Sequence, residues 1–220
     1  MIDPSPEGRR AFILENTTLQ APPHTPELRL HLADEITPIG RMTEEALEQI
    51  GLPPPFWAFA WAGGQALARY VLDNPQVVAG RRVIDFASGS GIVGVAAAVA
   101  GAAEVLCADI DAFAGAAAQL NATANGVRVA TTEQNLLDRP PPPDVEVILA
   151  GDICYEAPLA DQVMDWLMAA KAGGARVLVG DPGRSYFPRE RLEKLIEYQV
   201  PTTRELEDME VKKTAVWTLP

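Results

Sequence analysis

Basic side chains, cysteines and histidines are all scarce in this chain of 220 residues. Eighteen Lys and Arg stand against 30 Asp and Glu, for a net charge of -12. A surface of that sign repels phosphate, which argues against a nucleic-acid partner. A basic partner is easier to accommodate. The two cysteines, Cys107 and Cys154, have no metal-ligand spacing. His24 and His31 both lie near the N-terminus and form no cluster, so neither a zinc site nor a Ser-His mechanism has support. The longest apolar runs, around Val93–Ala100, are too short and too Ala-rich to span a bilayer. Met1-Ile-Asp-Pro-Ser-Pro lacks the charged region and apolar core of a signal peptide. A cytoplasmic chain with reduced thiols, no metal and no membrane partner is expected.

What is present is ample apolar material, 48% of the residues, and prolines concentrated toward the start. Residues 1–55 read as an N-terminal accessory segment laid over a single main domain, 56–220. Within the segment, a helix from Pro6 to about Thr17, a short strand at Leu28–Leu32 and a capped helix from Thr43 to Ile50 are expected. Phe56-Trp-Ala-Phe-Ala-Trp61 is an aromatic strip, and Gly63-Gly64 open a helix to about Leu72. Trp57 and Trp61 serve equally as core anchors or as a pocket wall on spacing alone.

From residue 82 strands and helices alternate, the pattern of a parallel sheet. The strands are placed at 82–86, 104–108, 127–132, 145–150 and 175–180, and the helices at 91–100, 111–125, 157–172 and 188–197. A closing hairpin of 199–206 and 212–219 completes a seven-stranded α/β sheet of the Rossmann-like class, mostly parallel with an antiparallel last strand.

The first of these strands leads into Asp85-Phe-Ala87-Ser88-Gly89-Ser-Gly91-Ile-Val-Gly94. Glycines after a strand let backbone approach a ligand, and the following helix offers unpaired N–H groups. Gly89-Ser-Gly91-Ile-Val-Gly94 is literally G-x-G-x-x-G, and Asp109 follows Gly89 by 20 residues, so a dinucleotide such as NAD is one reading. Asp85 argues against it, because a carboxylate there repels a pyrophosphate. It suits a ligand with an ammonium group instead. Asp-x-x-x-Gly-x-Gly resembles the first motif of the seven-strand methyltransferases, with Ala87 where that family usually has a third glycine.

Further polar groups fall at later strand ends, where open α/β sheets bind ligands. Asp109 is placed to accept two ribose hydroxyls, and Asp111 reads as a helix cap. Gln134-Asn135 follow the third strand; Asn135 suits either an adenine contact or a turn. Gly151-Asp152-Ile-Cys-Tyr155 follows the fourth, and Asp181-Pro-Gly-Arg184 the fifth. Asp152 is suited to holding a substrate amine. Arg184 suits an acidic partner surface, although Asp-Pro-Gly is also a simple turn.

Asp152-Ile-Cys-Tyr155 resembles the Asp-x-x-Tyr motif of a family of seven-strand protein-lysine methyltransferases. The aromatic strip, Ala108-Asp-Ile-Asp and Gly180-Asp-Pro-Gly-Arg are similar to its electron transfer flavoprotein β-subunit lysine methyltransferase branch, over roughly residues 52–220. The resemblance implies S-adenosylmethionine as donor, S-adenosylhomocysteine as product and a lysine of that β-subunit as acceptor. It implies cofactor contacts from Trp61, Asp85, Ala87, Ser88, Gly89, Gly91, Asp109, Ile110, Gln134, Asn135 and Gly151. It implies catalytic roles for Asp152 and Tyr155 and substrate contacts from Asp181 and Arg184, in an enzyme expected to be monomeric. Another protein, a small-molecule amine, an NAD-dependent reaction or simple docking on a partner remain the alternatives.

Overall fold

Val-, Ile- and Leu-rich runs with no polar alternation cannot face water on either side, so such strands belong in the middle of a sheet covered on both faces. Five strands, the edge one short and polar, pair in parallel in the computed structural model, which describes residues 3–34, 37–41, 47, 49, 51–202 and 209–220. They are β3 (Arg82–Phe86), β4 (Glu104–Ala108), β5 (Ala130–Thr132), β6 (Val147–Gly151) and β7 (Arg176–Asp181). With β8 (Glu193–Pro201) and β9 (Val211–Thr218), they form one sheet in the order β5-β4-β3-β6-β7-β9-β8. The expected seven-stranded, mostly parallel sheet is therefore present, and β9 runs antiparallel to both of its neighbours.

Helices cover both faces. On one side lie α2 (Ala62–Asp73), α3 (Ile92–Val99) and α4 (Ala112–Ala124); on the other lies α5 (Ala157–Ala172). The period-2 alternation of β6 splits its side chains between the two layers. Val147 and Leu149 join the first, and Ile148 and Ala150 the second.

One expectation fails. Residues 188–197 do not form a helix: Arg189–Arg191 make a single 3-10 turn, and β8 starts at Glu193. Leu192, Leu195 and Ile196 are spaced for a helical stripe, but Leu195 and Ile196 are exposed. Pairing with β9 decides the outcome, because β9 would otherwise be an unpaired edge. The new edge strand carries Glu193, Lys194 and Glu197, and a bulge between Lys194 and Ile196 interrupts its ladder.

The N-terminal residues join the core. In α1 (Pro6–Asn16), Ser5 caps the amide of Gly8, and Pro6 opens the first turn. A two-stranded hairpin follows, β1 (Thr18–Gln20) with β2 (Leu30–Leu32). The alternation at Leu28–Leu32 marked the second strand; β1 carried no such signal. Leu28, Leu30 and Leu32 enter the same buried layer as α2, α3 and α4. Buried amides tie this layer down. Asn121 of α4 accepts from the His31 amide at 2.7 Å, and Gln65 of α2 accepts from the His24 amide at 3.2 Å. The helix expected at Thr43–Ile50 and the second half of the strand expected at 199–206 fall mainly outside the described residues.

Three glycines, Gly63, Gly151 and Gly180, let the start of α2 sit directly on the sheet. A Cβ on Gly63 would collide with the Gly180 carbonyl and with Asp152; one on Gly151 would lie 2.9 Å from the Gly64 backbone. Gly180→Ala should therefore push α2 off β7, with a loss of about 3 kcal/mol, the upper end for overpacking. Urea unfolding of the variant beside the parent checks this.

Candidate active site

The strand order reverses direction between β3 and β6, and the crevice beyond the carboxyl ends of those strands is where such sheets bind ligands. A cavity of about 630 Å³ lies there, inside the range of roughly 300–1,000 Å³ for small-molecule sites. It gathers Trp61, Asp85, Ala87, Ser88, Gly89, Asp109, Ile110, Gln134, Asn135, Gly151, Asp152, Tyr155 and Arg184 on one surface. Gly91 and Asp181, also expected in the site, do not line it.

The glycine loop owes its shape to left-handed backbone. Ala87, Gly89 and Gly91 have φ of 52°, 50° and 73°. Gly91 has a packing reason as well: a Cβ there would lie 2.6 Å from that of Ala118 in α4. Gly94 lets α3 lie against β3 and β4, since a Cβ would meet Cys107 Sγ at 2.5 Å and Asp85 Oδ2 at 3.0 Å. That contact lets the Gly94 amide donate to Asp85 Oδ2 at 2.7 Å. Asp85 is fully buried, and burial holds its carboxyl well above the usual carboxylate range. Asp109 accepts from the Gly89 amide at 2.8 Å and the Asp111 amide at 3.0 Å, so the acid after β4 braces the loop after β3. Burial raises its pKa too, against those two bonds. Asp111 caps α4 as expected, accepting from Phe113 at 2.9 Å.

The other end of the cavity is built around Asp152. Its Oδ2 accepts from the Gly64 amide at 2.9 Å, in the first turn of α2. Its Oδ1 accepts from Arg184 Nη2 at 2.7 Å and Nε at 3.2 Å. Asp152 has a φ of 57°, which Asp tolerates better than most residues. Arg184, read as suiting a partner surface or a simple turn, lines the cavity, and its Cζ lies 5.7 Å from the Trp61 ring centroid. Asp181 holds this arginine's loop in place, its Oδ1 accepting from the amides of Gly183 at 2.6 Å and Arg184 at 2.8 Å. Burial pushes the Asp181 carboxyl up to about 7, with the nearby Asp152 adding to the rise.

Aromatic rings frame the mouth. Phe56 packs on Trp61 and Tyr155, with centroids 5.9 and 5.8 Å apart, and Trp61 Nε1 donates to the Phe56 carbonyl at 3.0 Å. Trp57 stacks on Phe113, is 1% exposed and also borders the cavity, so it serves both of the roles that spacing left open, while Trp61 stands at the mouth. Asn135 caps the turn at Leu136–Asp138 by accepting from the Leu137 amide, and also lines the cavity. Sequence reasoning missed Phe56, Phe59, Leu136 and Leu137 as lining residues. It also missed Asn121, whose Nδ2 donates to the Ser90 carbonyl at 2.8 Å and anchors the glycine loop from beneath. The aromatic strip did announce Phe56 and Phe59; Asn121 sits unmarked in an Ala-rich helix.

Comparison with known proteins agrees with this geometry. The family model for ribosomal protein L11 methyltransferase (PrmA) matches residues 65–180. The electron transfer flavoprotein beta subunit lysine methyltransferase of Xenopus laevis is 38% identical over 95% of this chain and 86% of its own length. The human protein of that name is 36% identical over 94% and 80%. The chain belongs to the electron transfer flavoprotein beta subunit lysine methyltransferase family. Among solved structures, the magnesium protoporphyrin IX methyltransferase of Synechocystis with bound SAM shares the fold at a TM-score of 0.51. It is 12% identical over 71% of this chain and 78% of its own.

The enzyme's cavity fits the methyl donor of that family, S-adenosylmethionine. Two acids, Asp85 and Asp109, line it from the ends of adjacent strands, acceptors of the kind that an ammonium group and a ribose diol require. Ser88 Oγ is buried in the loop between them with no hydrogen-bond partner among the described residues. Ile110 beside Asp109 is 74% exposed, an apolar side chain left in water at the cavity wall.

Left-handed backbone costs an L-residue roughly 1–2 kcal/mol, which explains the glycine usual at the place of Ala87. Ala87→Gly should raise stability by up to about 1 kcal/mol, after the entropy that glycine loses on folding. Thermal unfolding with and without S-adenosylhomocysteine measures it; a lower melting temperature would contradict the strain.

Proposed function

We propose that the enzyme transfers methyl groups from S-adenosylmethionine to lysine on the β-subunit of electron transfer flavoprotein. The carrying observation is the near end-to-end likeness to relatives bearing that activity in their name. When bound, S-adenosylmethionine supplies an electrophilic sulfonium methyl, which takes the lysine nitrogen's lone pair as the carbon–sulfur bond breaks.

The protein's part is binding and alignment. Asp85 holds the amino-acid end and Asp109 the ribose; Trp61, Ile110, Gln134 and Asn135 enclose the rest. Asp152 orients the lysine nitrogen, supported by its position directly after the rigid β6 and by the α2 amide that holds its second oxygen. Tyr155, half exposed against Phe56, lines the approach. Asp181 acts on substrate through the Arg184 loop rather than by touching it. In the same reading, residues 1–55 form an accessory layer on the methyltransferase domain 56–220. The enzyme works as a monomer in the cytoplasm, with neither nucleic acid nor membrane as partner. Two buried thiols without a disulfide suit a reducing compartment, and no described helix is long and apolar enough to cross a membrane.

Two measurements test the assignment. Asp109→Ala should weaken S-adenosylhomocysteine binding by about 1.5–3 kcal/mol, the value of a charged hydrogen-bond partner; calorimetry showing unchanged affinity would remove Asp109 from the site. Asp152→Asn retains a residue that accepts the left-handed backbone, so it should fold and bind S-adenosylhomocysteine nearly normally. With labelled S-adenosylmethionine and purified flavoprotein, its rate should fall on the order of a hundredfold, the effect of a misaligned reacting atom. Tyr155→Phe should lose less, because the ring remains.

A further inference from the structure

Asp152 and Arg184 form an ion pair where the cavity opens beside Trp61. Only 11% of the Asp152 side chain and 21% of that of Arg184 are exposed. Salt screens so sheltered a pair weakly. The Gly64 amide adds the positive end of α2 on the other carboxylate oxygen. Arg184 is held there from three sides: by Asp152, by the Trp61 face, and by Asp181 through its backbone amide.

This pairing bears on a problem every amine methylation must solve. A lysine in water keeps its proton up to about pH 10, and an ammonium has no lone pair to offer. A lone carboxylate beside it would hold the proton in place, since an opposite charge favours the charged form. Asp152 is not such a carboxylate, because its charge is already matched.

We propose that Arg184 is a positioning residue that neutralises Asp152, so that the acceptor lysine enters as the free amine. The assignment rests on the lysine-methylation reading above and deepens it. One Nζ–H bond of the ammonium breaks, its electron pair stays on nitrogen, and the proton passes to bulk water. Asp152 then accepts a hydrogen bond from the neutral amine and sets its direction without binding its charge.

Other titratable groups face the same space. Asp85, Asp109 and Asp111, from the ends of β3 and β4 and the start of α4, and Tyr155, after β6, line the cavity, while Cys154, Glu156, Asp181 and Arg189 lie in the segments at and after the ends of β6 and β7. Burial raises Asp85, Asp109 and Tyr155 and pushes Cys154 up to about 12. Asp181, at about 7, falls nearest the range in which a destabilised ammonium would titrate, so it needs its own control.

The test uses the full chain, purified electron transfer flavoprotein and labelled S-adenosylmethionine between about pH 6 and 10. In Arg184→Gln, and in Arg184→Met, which can still cover Trp61, the acid limb of kcat should move up by at least about one pH unit. Activity should climb toward the parent's at high pH. Arg184→Lys keeps the charge and Asp181→Asn removes the competing titration; both should leave the limb in place. A readout independent of turnover is the proton released when the flavoprotein binds the S-adenosylhomocysteine complex, measured calorimetrically in two buffers of different ionisation enthalpy. The parent should release close to one proton near neutral pH, and Arg184→Gln clearly fewer. A kcat lowered equally at every pH with unchanged proton release would reduce Arg184 to a scaffold and overturn the assignment. So would a limb that moves with Asp181→Asn. A parent chain that never methylates the flavoprotein, whatever the pH, overturns the substrate reading and this assignment with it.

Discussion

The contact between the first turn of α2 and the ends of β6 and β7 is the constraint on which the site depends. Gly63 on the helix meets Gly180, and Gly151 meets the Gly64 backbone, with no room for a side chain at Gly63, Gly151 or Gly180. Only at that distance can the Gly64 amide reach Asp152. The same placement puts Trp61, the residue capping α2, across from Arg184. A methyl group at any of the three closest glycines would separate helix from sheet and dissolve the relation among Asp152, Arg184 and Trp61. Packing and chemistry therefore share one cause here, and the price of the glycines in chain entropy is met by the site they create.

A second theme is the management of negative charge. Asp85, Asp109, Asp152 and Asp181 stand at or just past the ends of four adjacent parallel strands, all buried or nearly so. Unrelieved, four carboxylates in one crevice would repel one another and resist ionisation. Each is relieved differently. Gly94 donates to Asp85, Gly89 and Asp111 to Asp109, Gly183 and Arg184 to Asp181, while Asp152 has a full counter-charge. Asp85 and Asp109 are met by backbone amides, whereas Asp152 and Asp181 share Arg184, and Asp181 Oδ2 stays buried without a hydrogen bond among the described residues.

Much of the fold was legible because its elements obey strong local rules. The buried strands at 82–86 and 104–108 carry β-branched runs bounded by turn residues, and they match the observed bounds. The Asp111 cap and the helix after it are equally local. Reading failed where a residue's state depends on a distant partner. Residues 188–197 have apolar spacing compatible with a helix, yet the hydrogen-bonding edge of β9 draws their second half into a strand. The three-residue β1 exists only as the partner of β2. In the site, the motif residues were visible, but not that Asp181 and Gly91 would lie outside the lining, nor that Arg184 would pair with Asp152.

By itself the sequence determined the alternation of strands and helices, the glycine loop and the run of acids that follow successive strands. These depend on neighbours a few residues apart, whose spacing is the physics of a single element. Family membership was legible in the same way, through motifs carried on those elements. The tertiary structure alone decided that Asp152 and Arg184, 32 residues apart, share a sheltered ion pair beside Trp61. Bringing three separate chain segments to that point required the sheet order, the helix-to-strand glycine contact and a turn shaped by a buried Asp181. No local pattern encodes such a meeting, because its energy comes from packing between segments and not within them.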